Sequence, residues 1–147
     1  MTFPALAPIG VVGSHELDYP RNIVLQSALR KAGYELIVCH SRDAFPKRHA
    51  SLAQKFFNLP PEVRVIYVTE GGHRLVPLLK AWCLMTGRRL VFDPFLSRYN
   101  TRVEDRMWFK PGTPHAWMAH YQDWSACKCA DHLIFDTEEH KEYFTER

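Results

Sequence analysis

Short apolar runs and amphipathic segments alternate along this chain from one end to the other. Ile9-Gly-Val-Val12 is a strand-length apolar run ending at Gly13, and Pro20 beyond a polar turn suits the first turn of a helix. That helix sets Val24, Leu25, Ala28, Leu29 and Ala32 on one face and stops at Gly33, a residue suited to a left-handed terminator. Leu36 to Cys39 reads as the second strand, so the first forty residues form a βαβ unit with a right-handed crossover. Ser41 to Asn58 is basic and aromatic, with a short helix expected around His49 to Asn58 before the Pro60-Pro61 break. Val63 to Val68 is the third strand. Gly71-Gly72 opens a helix striped with Leu75, Leu79, Trp82 and Cys83, and Gly87 closes it. Leu90 to Phe92 is the fourth strand and His132 to Phe135 the fifth, with Trp117, Tyr121 and Trp124 sharing a face of the helix from His115 to Ala130. Thr137 to Arg147 starts with a Thr cap and two acids, then runs to the end in helical pattern. The expected fold is α/β, a Rossmann-like three-layer domain whose central parallel sheet is flanked by helices.

At 147 residues the chain has room for one core, so residues 1–147 are read as a single domain. With 46% apolar and 24% charged residues it is globular, and its 19 basic residues are scattered among 16 acidic ones, which disfavours a nucleic-acid footprint. No apolar run approaches the roughly 20 residues of a membrane span, and the N-terminus lacks a signal-peptide layout; a cytoplasmic location is expected. Cys39, Cys83, Cys127 and Cys129 sit in or beside periodic segments, as reduced core residues do. The C-x-C at 127–129 is too short for a zinc knuckle, and no metal is expected.

In an open parallel sheet, ligands bind beyond the carboxyl ends of the strands where strand order reverses. With the usual order the first and fourth strands would flank that crevice, bringing Gly13 to Tyr19 together with Asp93 to Tyr99, and Thr69 to Gly72 close by. Gly13, Ser14 and His15 lead toward a helix N-terminus that favours an anion, although Gly10 and Gly13 equally suit a simple tight turn. The third glycine of G-x-G-x-x-G is missing and the second strand ends without a ribose-binding acid, which disfavours a nicotinamide dehydrogenase. Glu70, Gly71, Gly72 and His73 repeat the same logic, as a backbone that a ligand can approach or as a plain loop. Glu62 and Glu70 match an E-x7-E spacing but fall at opposite ends of one strand. From Asp93 to Lys110 runs a long irregular segment in which Arg98, Arg102, Arg106 and Lys110 recur every fourth residue among Tyr99, Trp108 and Phe109. That pattern suits phosphate and sugar recognition by charge and stacking, or a solvated turn paired with Glu104 and Asp105. Asp93, at a strand end and before a proline, either orients an acceptor hydroxyl as a catalytic carboxylate or caps a turn.

Three segments carry a resemblance: Pro20-Arg-Asn22 leading to Leu29-Arg-Lys-Ala-Gly33; Asp93-Pro-Phe-Leu-Ser-Arg-Tyr-Asn-Thr101; and Asp123-Trp-Ser-Ala-Cys-Lys-Cys-Ala-Asp131 followed by Leu133-Ile-Phe-Asp-Thr137. Over most of its length the chain resembles the N-terminal, acceptor-side domain of family 4 glycosyltransferases, retaining enzymes of GT-B architecture. The resemblance implies a half that binds a carbohydrate or lipid-linked acceptor, in polysaccharide biosynthesis for example, while a C-terminal domain holds the nucleotide-sugar donor and its paired-glutamate motif. That donor domain is absent from these residues, so this half alone is expected to be inactive. Carried over, Gly13 matches the loop near the donor phosphates, Asp93 and Ser97 the acceptor-facing strand end, and Glu70-Gly71-Gly72 the same cleft wall. No cofactor beyond the donor is implied, and transfer rests on charge stabilisation with the donor phosphate assisting. Where relatives of this kind meet lipid-linked acceptors, the Arg98 to Lys110 segment suits peripheral docking at the inner membrane face. The alternative is a stand-alone flavodoxin-like module that holds a phosphorylated ligand at Gly13 or Gly71. A weaker third reading is an oligomerising fragment that assembles through its terminal helix and Trp-rich face.

Overall fold

The computed structural model describes residues 6–13 and 18–146. Strand β1 (Ile9–Gly13) leads to α1 (Pro20–Lys31), β2 (Leu36–His40), α2 (Lys47–Phe57) and β3 (Val65–Val68). A single 3-10 turn (Gly72–Arg74) precedes α3 (Val76–Thr86), then β4 (Arg89–Phe92), a π-helical turn (Asn100–Asp105), α4 (Pro114–Cys129), β5 (His132–Leu133) and α5 (Glu138–Thr145). All five strands are parallel, in the order β2-β1-β3-β4-β5, which makes the domain α/β with a Rossmann-like sheet between helical layers.

That order corrects the expected crevice. β1 pairs with β2 on one side and β3 on the other, so the reversal of strand order falls between β1 and β3, and β4 stands one strand further out. Local boundaries differ too. Gly71 takes a left-handed φ of 76° and the 3-10 turn follows it, so α3 begins only at Val76 with Pro77 in its first turn. β5 spans two residues instead of four; Ile134 N still donates to Phe92 O, and no further strand pairing follows among the described residues. The segment read as irregular from 94 to 114 contains the π-helical turn, ended by Arg106 N donating to Thr101 O at 3.0 Å, with the Asn100 side chain donating to Glu104 across it.

Two apolar layers hold the sheet. One joins Val12, Ile66, Val68, Leu90 and Phe92 to Leu52 and Phe56 of α2, Leu79 and Cys83 of α3 and Ala126 of α4. The other joins Ile9, Val11 and Tyr67 to Leu25 and Leu29 of α1. The inward face of α1 is rotated from its expected position: Asn22 and Gln26 are buried while Val24 is 64% exposed and Ala28 and Ala32 point outward.

Candidate site at the carboxyl rim of the sheet

Register aligns Val12, Val68, Phe92 and Leu133 across four strands, so Gly13, Thr69, Asp93 and Ile134 form the rim that follows. Backbone bonds continue into that rim, with Asp93 N donating to Val68 O at 3.0 Å and Ile134 N to Phe92 O at 3.0 Å. Gly13 and Asp93 are therefore on one edge but two strand spacings apart, about 10 Å. Ser14 and His15 lie outside the described residues.

Asp93 is fully buried, and its carboxylate is held on both oxygens by Arg21 from the first turn of α1. Arg21 Nε donates to Oδ2 at 2.8 Å and an η-nitrogen donates to Oδ1 at 2.9 Å, the bidentate fork that planar guanidinium allows. Tyr67 Oη donates to Oδ2 at 3.2 Å from the middle of the sheet. Burial pushes the Tyr67 hydroxyl well above its ordinary pKa, and the neighbouring Asp93 charge adds to this, so it remains a donor. Burial works against the Arg21 charge, but the bond to Asp93 together with the charges of Asp93 and Asp136 outweighs it and raises the guanidinium pKa. The same arginine reaches Asp136 at 3.5 Å and lies 4.1 Å from the centre of the Phe95 ring. A cation in the first turn opposes the helix dipole, and that misplacement in sequence is the signal that Arg21 has a dedicated acidic partner.

A second cluster sits where the segment after β4 crosses α4. Asp123 accepts from Ser97 Oγ at 2.7 Å, Arg98 N at 2.8 Å and Tyr99 N at 2.9 Å, so one carboxylate fixes three successive residues. Burial raises its pKa against these bonds, which pull the other way. His73 from the 3-10 turn is buried edge-on against Phe92, with Nε2 3.4 Å from Asp123 Oδ1. Burial, reinforced by Arg98 and Arg102, drives the His73 pKa down to about 3, so the ring is neutral. Arg98 is lowered to about 10 by burial and by Arg102 and Arg74.

An acid-sensitive fold follows. The unfolded chain protonates His73 below its ordinary value of 6.5 while the folded state resists until about 3, so stability is lost as pH falls through that interval. The slope from this residue is at most about 1.4 kcal/mol per pH unit. His73→Phe is expected to flatten the decline in urea midpoint between pH 6.5 and 4; an unchanged slope would mean the ring is not held neutral. Asp123, whose folded pKa is raised, contributes with the opposite sign just above its ordinary 3.8 and softens the decline there.

The remaining predicted residues divide by exposure. Gly72 is buried, and a Cβ there would stand 2.5 Å from Val68 Cγ1, so its lack of a side chain serves packing. Gly71 is exposed with open space around it, and Glu70 is close enough to Tyr67 to raise its pKa. Arg102 is half-buried against Arg98, while Ser97, Tyr99, Asp123, Trp124, Lys128 and Tyr143 line a cavity of about 500 Å³ between α4, α5 and the rim segment. Among the described residues no group of His, Cys, Asp or Glu is arranged to hold a metal ion.

No family model, curated protein or solved structure matches the chain. The site therefore rests on its own geometry. Arg21 and Tyr67 escaped the sequence reading because each acts through a residue far away in the chain, Asp93, at separations of 72 and 26 positions. Asp123 entered the sequence analysis only as the first residue of the third resemblance segment, although a lone carboxylate among Ala119, Gln122 and Ala126 on an inward helix face signals a buried acceptor.

Proposed function

We propose that this domain is the acceptor-binding wall of a retaining glycosyltransferase, one half of a GT-B pair whose second domain supplies the nucleotide-sugar donor. One observation supports it above the others: the three segments that carry the family resemblance are bonded to one another at a single edge of the sheet. Arg21 of the first segment pairs with Asp93 of the second at 2.8 Å and reaches Asp136 of the third at 3.5 Å, and Ser97 of the second bonds Asp123 of the third at 2.7 Å. Residues dispersed over the chain that converge at the strand ends are what a ligand-facing wall requires.

In this reading Asp93 acts through Arg21. Asp93 has no exposed surface and is covered by Arg21 and Tyr67, so taking a proton from an acceptor hydroxyl would first require that cover to move. Gly13, Glu70 and Gly71 form the approach to the β1/β3 crevice, and Ser97, Tyr99 and Arg102 the acceptor side. The charge that develops during transfer is stabilised by the donor phosphate in the opposing half.

The strand order also suits a stand-alone flavodoxin-like module with a phosphorylated ligand at the β1/β3 crevice. The natural gene product, supplied with a panel of nucleotide sugars and a lipid and oligosaccharide extract, is expected to add a hexose detectable by mass spectrometry. Absence of both transfer and donor hydrolysis across the panel overturns the proposal. Calorimetry on the 147-residue chain separates the readings further, since tight binding of a nucleotide or sugar phosphate by this domain alone favours the module.

A further inference from the structure

Three arginines meet beside the Asp123 cluster. Arg74 follows His73 at the end of the 3-10 turn, and Arg98 follows Ser97 in the segment after β4. Arg102 stands one turn later, within the π-helical turn, where Thr101 N donates to Ser97 O at 3.0 Å. Asp123 joins the two elements, because its Oδ1 accepts from Arg98 N at 2.8 Å and lies 3.4 Å from His73 Nε2. After burial, the charges of Arg102 and Arg74 hold the Arg98 guanidinium below its ordinary pKa, and Arg98 and Arg102 both act on His73. None of the three arginine side chains forms a hydrogen bond or an ion pair with a described residue. Arg98 Nε and both ring nitrogens of His73 are buried without a hydrogen bond, whereas the η-nitrogens of Arg98 reach solvent. The neighbouring acids have other partners: Asp123 accepts from Ser97, Arg98 N and Tyr99 N, and Glu104 from Asn100 and Tyr143.

We infer that Arg74, Arg98 and Arg102 form a binding site for a phosphate group, entered from the carboxyl rim of the sheet beside β3 and β4. A phosphate monoester carries between one and two negative charges at pH 7 and has three strong acceptor oxygens, which matches guanidinium groups supplied from two elements. A carboxylate brings one charge and is filled by a single guanidinium fork. Half-buried cations that repel one another gain more from a shared anion than solvated ones do, since their surroundings screen charge less than water does. Arg106 and Lys110 share the sequence spacing of Arg98 and Arg102 but are exposed and act on neither Arg98 nor His73, so they fall outside the site. The place also differs from the Gly13 loop, because β3 stands between β1 and β4. The inference does not rest on the transferase reading: phosphate binding is measured without a donor, and either test can fail while the other succeeds.

The test is a titration of the 147-residue chain with inorganic phosphate at constant ionic strength, followed by NMR of the backbone amides and the arginine Nε–H groups. Saturable shifts are expected at Arg98 Nε–H and at the amides of His73 and Arg98, with millimolar affinity. Arg74→Gln and Arg102→Gln are each expected to weaken binding roughly tenfold, as loss of a charge-assisted contact does. R74Q/R102Q is expected to abolish saturation, and Arg106→Gln to leave it unchanged. Arg74 is exposed, so R74Q alone keeps the test valid if R102Q does not fold. Glucosyl phosphate distinguishes the sources of the anion. Tighter binding than inorganic phosphate, lost in R74Q/R102Q, assigns the site to a phosphorylated sugar; equal or weaker binding, also lost there, assigns it to the free anion. No saturable shift, or an affinity for inorganic phosphate that R74Q/R102Q retains, overturns the inference.

Discussion

Arg21→Met is expected to destabilise the domain by about 3–5 kcal/mol, the cost of leaving a buried carboxylate without its cation. Asp93 has no exposed surface, and among the described residues its remaining side-chain partner is the Tyr67 hydroxyl at 3.2 Å. The converse substitution should cost less. In Asp93→Asn the arginine keeps its charge but is 15% exposed and already close to Asp136, so it can turn toward that carboxylate and water. The double variant R21M/D93N removes both charges and is expected to recover most of the loss, giving a coupling of the magnitude seen between groups in direct contact. Urea midpoints for the four proteins at pH 7 measure this cycle. An R21M protein within about 1 kcal/mol of the parent, the size of an exposed pair, would place the interaction among surface ion pairs. The consequence reaches function: Arg21 joins the start of α1 to the ends of β4 and β5, so its loss is also expected to loosen the edge on which the proposed acceptor wall stands.

The fold was legible because its determinants are local. Five apolar runs separated by helical periodicity, with Gly33 and Gly87 at the stops, are enough to specify a βα alternation, and both glycines do take positive φ. Strand order was not legible. Whether β3 or β4 pairs with β1 depends on how the crossovers pass over the sheet, and the pattern of apolar residues is the same in either arrangement. The rotation of α1 was missed for a related reason. Periodicity locates the most apolar face, yet this helix buries Asn22 and Gln26 and leaves Val24 in solvent. Arg98 and Arg102 were read as ligand contacts from their spacing, but Arg98, just before the π-helical turn, and Arg102, within it, are both half-buried close to His73. Asp93, Ser97 and Tyr99 were identified in sequence, whereas the partners that fix them, Arg21 and Asp123, belong to elements joined only by folding.

Asp123→Asn is the sharper test of the second cluster, because it keeps the shape of the side chain and changes only what it can accept. Oδ1 accepts from Arg98 N, and Oδ2 accepts from both Tyr99 N and Ser97 Oγ. An amide has one acceptor oxygen. If that oxygen takes the Oδ2 position, its NH2 faces the Arg98 N–H; in the opposite flip it faces the Tyr99 N–H. Either way a backbone donor meets a donor beside a carboxylate position only 6% exposed, at a cost of about 1–3 kcal/mol for each group left unsatisfied. Asp123→Ala leaves all three donors without this acceptor, although Ser97 Oγ still accepts from Asn100 N at 2.9 Å. We expect D123N to lose about 2 kcal/mol and D123A somewhat more. In both, amide exchange should accelerate selectively from Ser97 to Val103, the stretch anchored here and continuing into the π-helical turn. The distribution of exchange separates a local anchor from general packing: uniform acceleration over α4 and the sheet would mean that Asp123 supports the core and leaves the rim segment to position itself. A selective effect would instead mean that a carboxylate on α4 sets the geometry of Ser97, Arg98 and Tyr99. Those residues would then depend on Asp123 for their arrangement at the proposed acceptor face, much as Asp93 depends on Arg21.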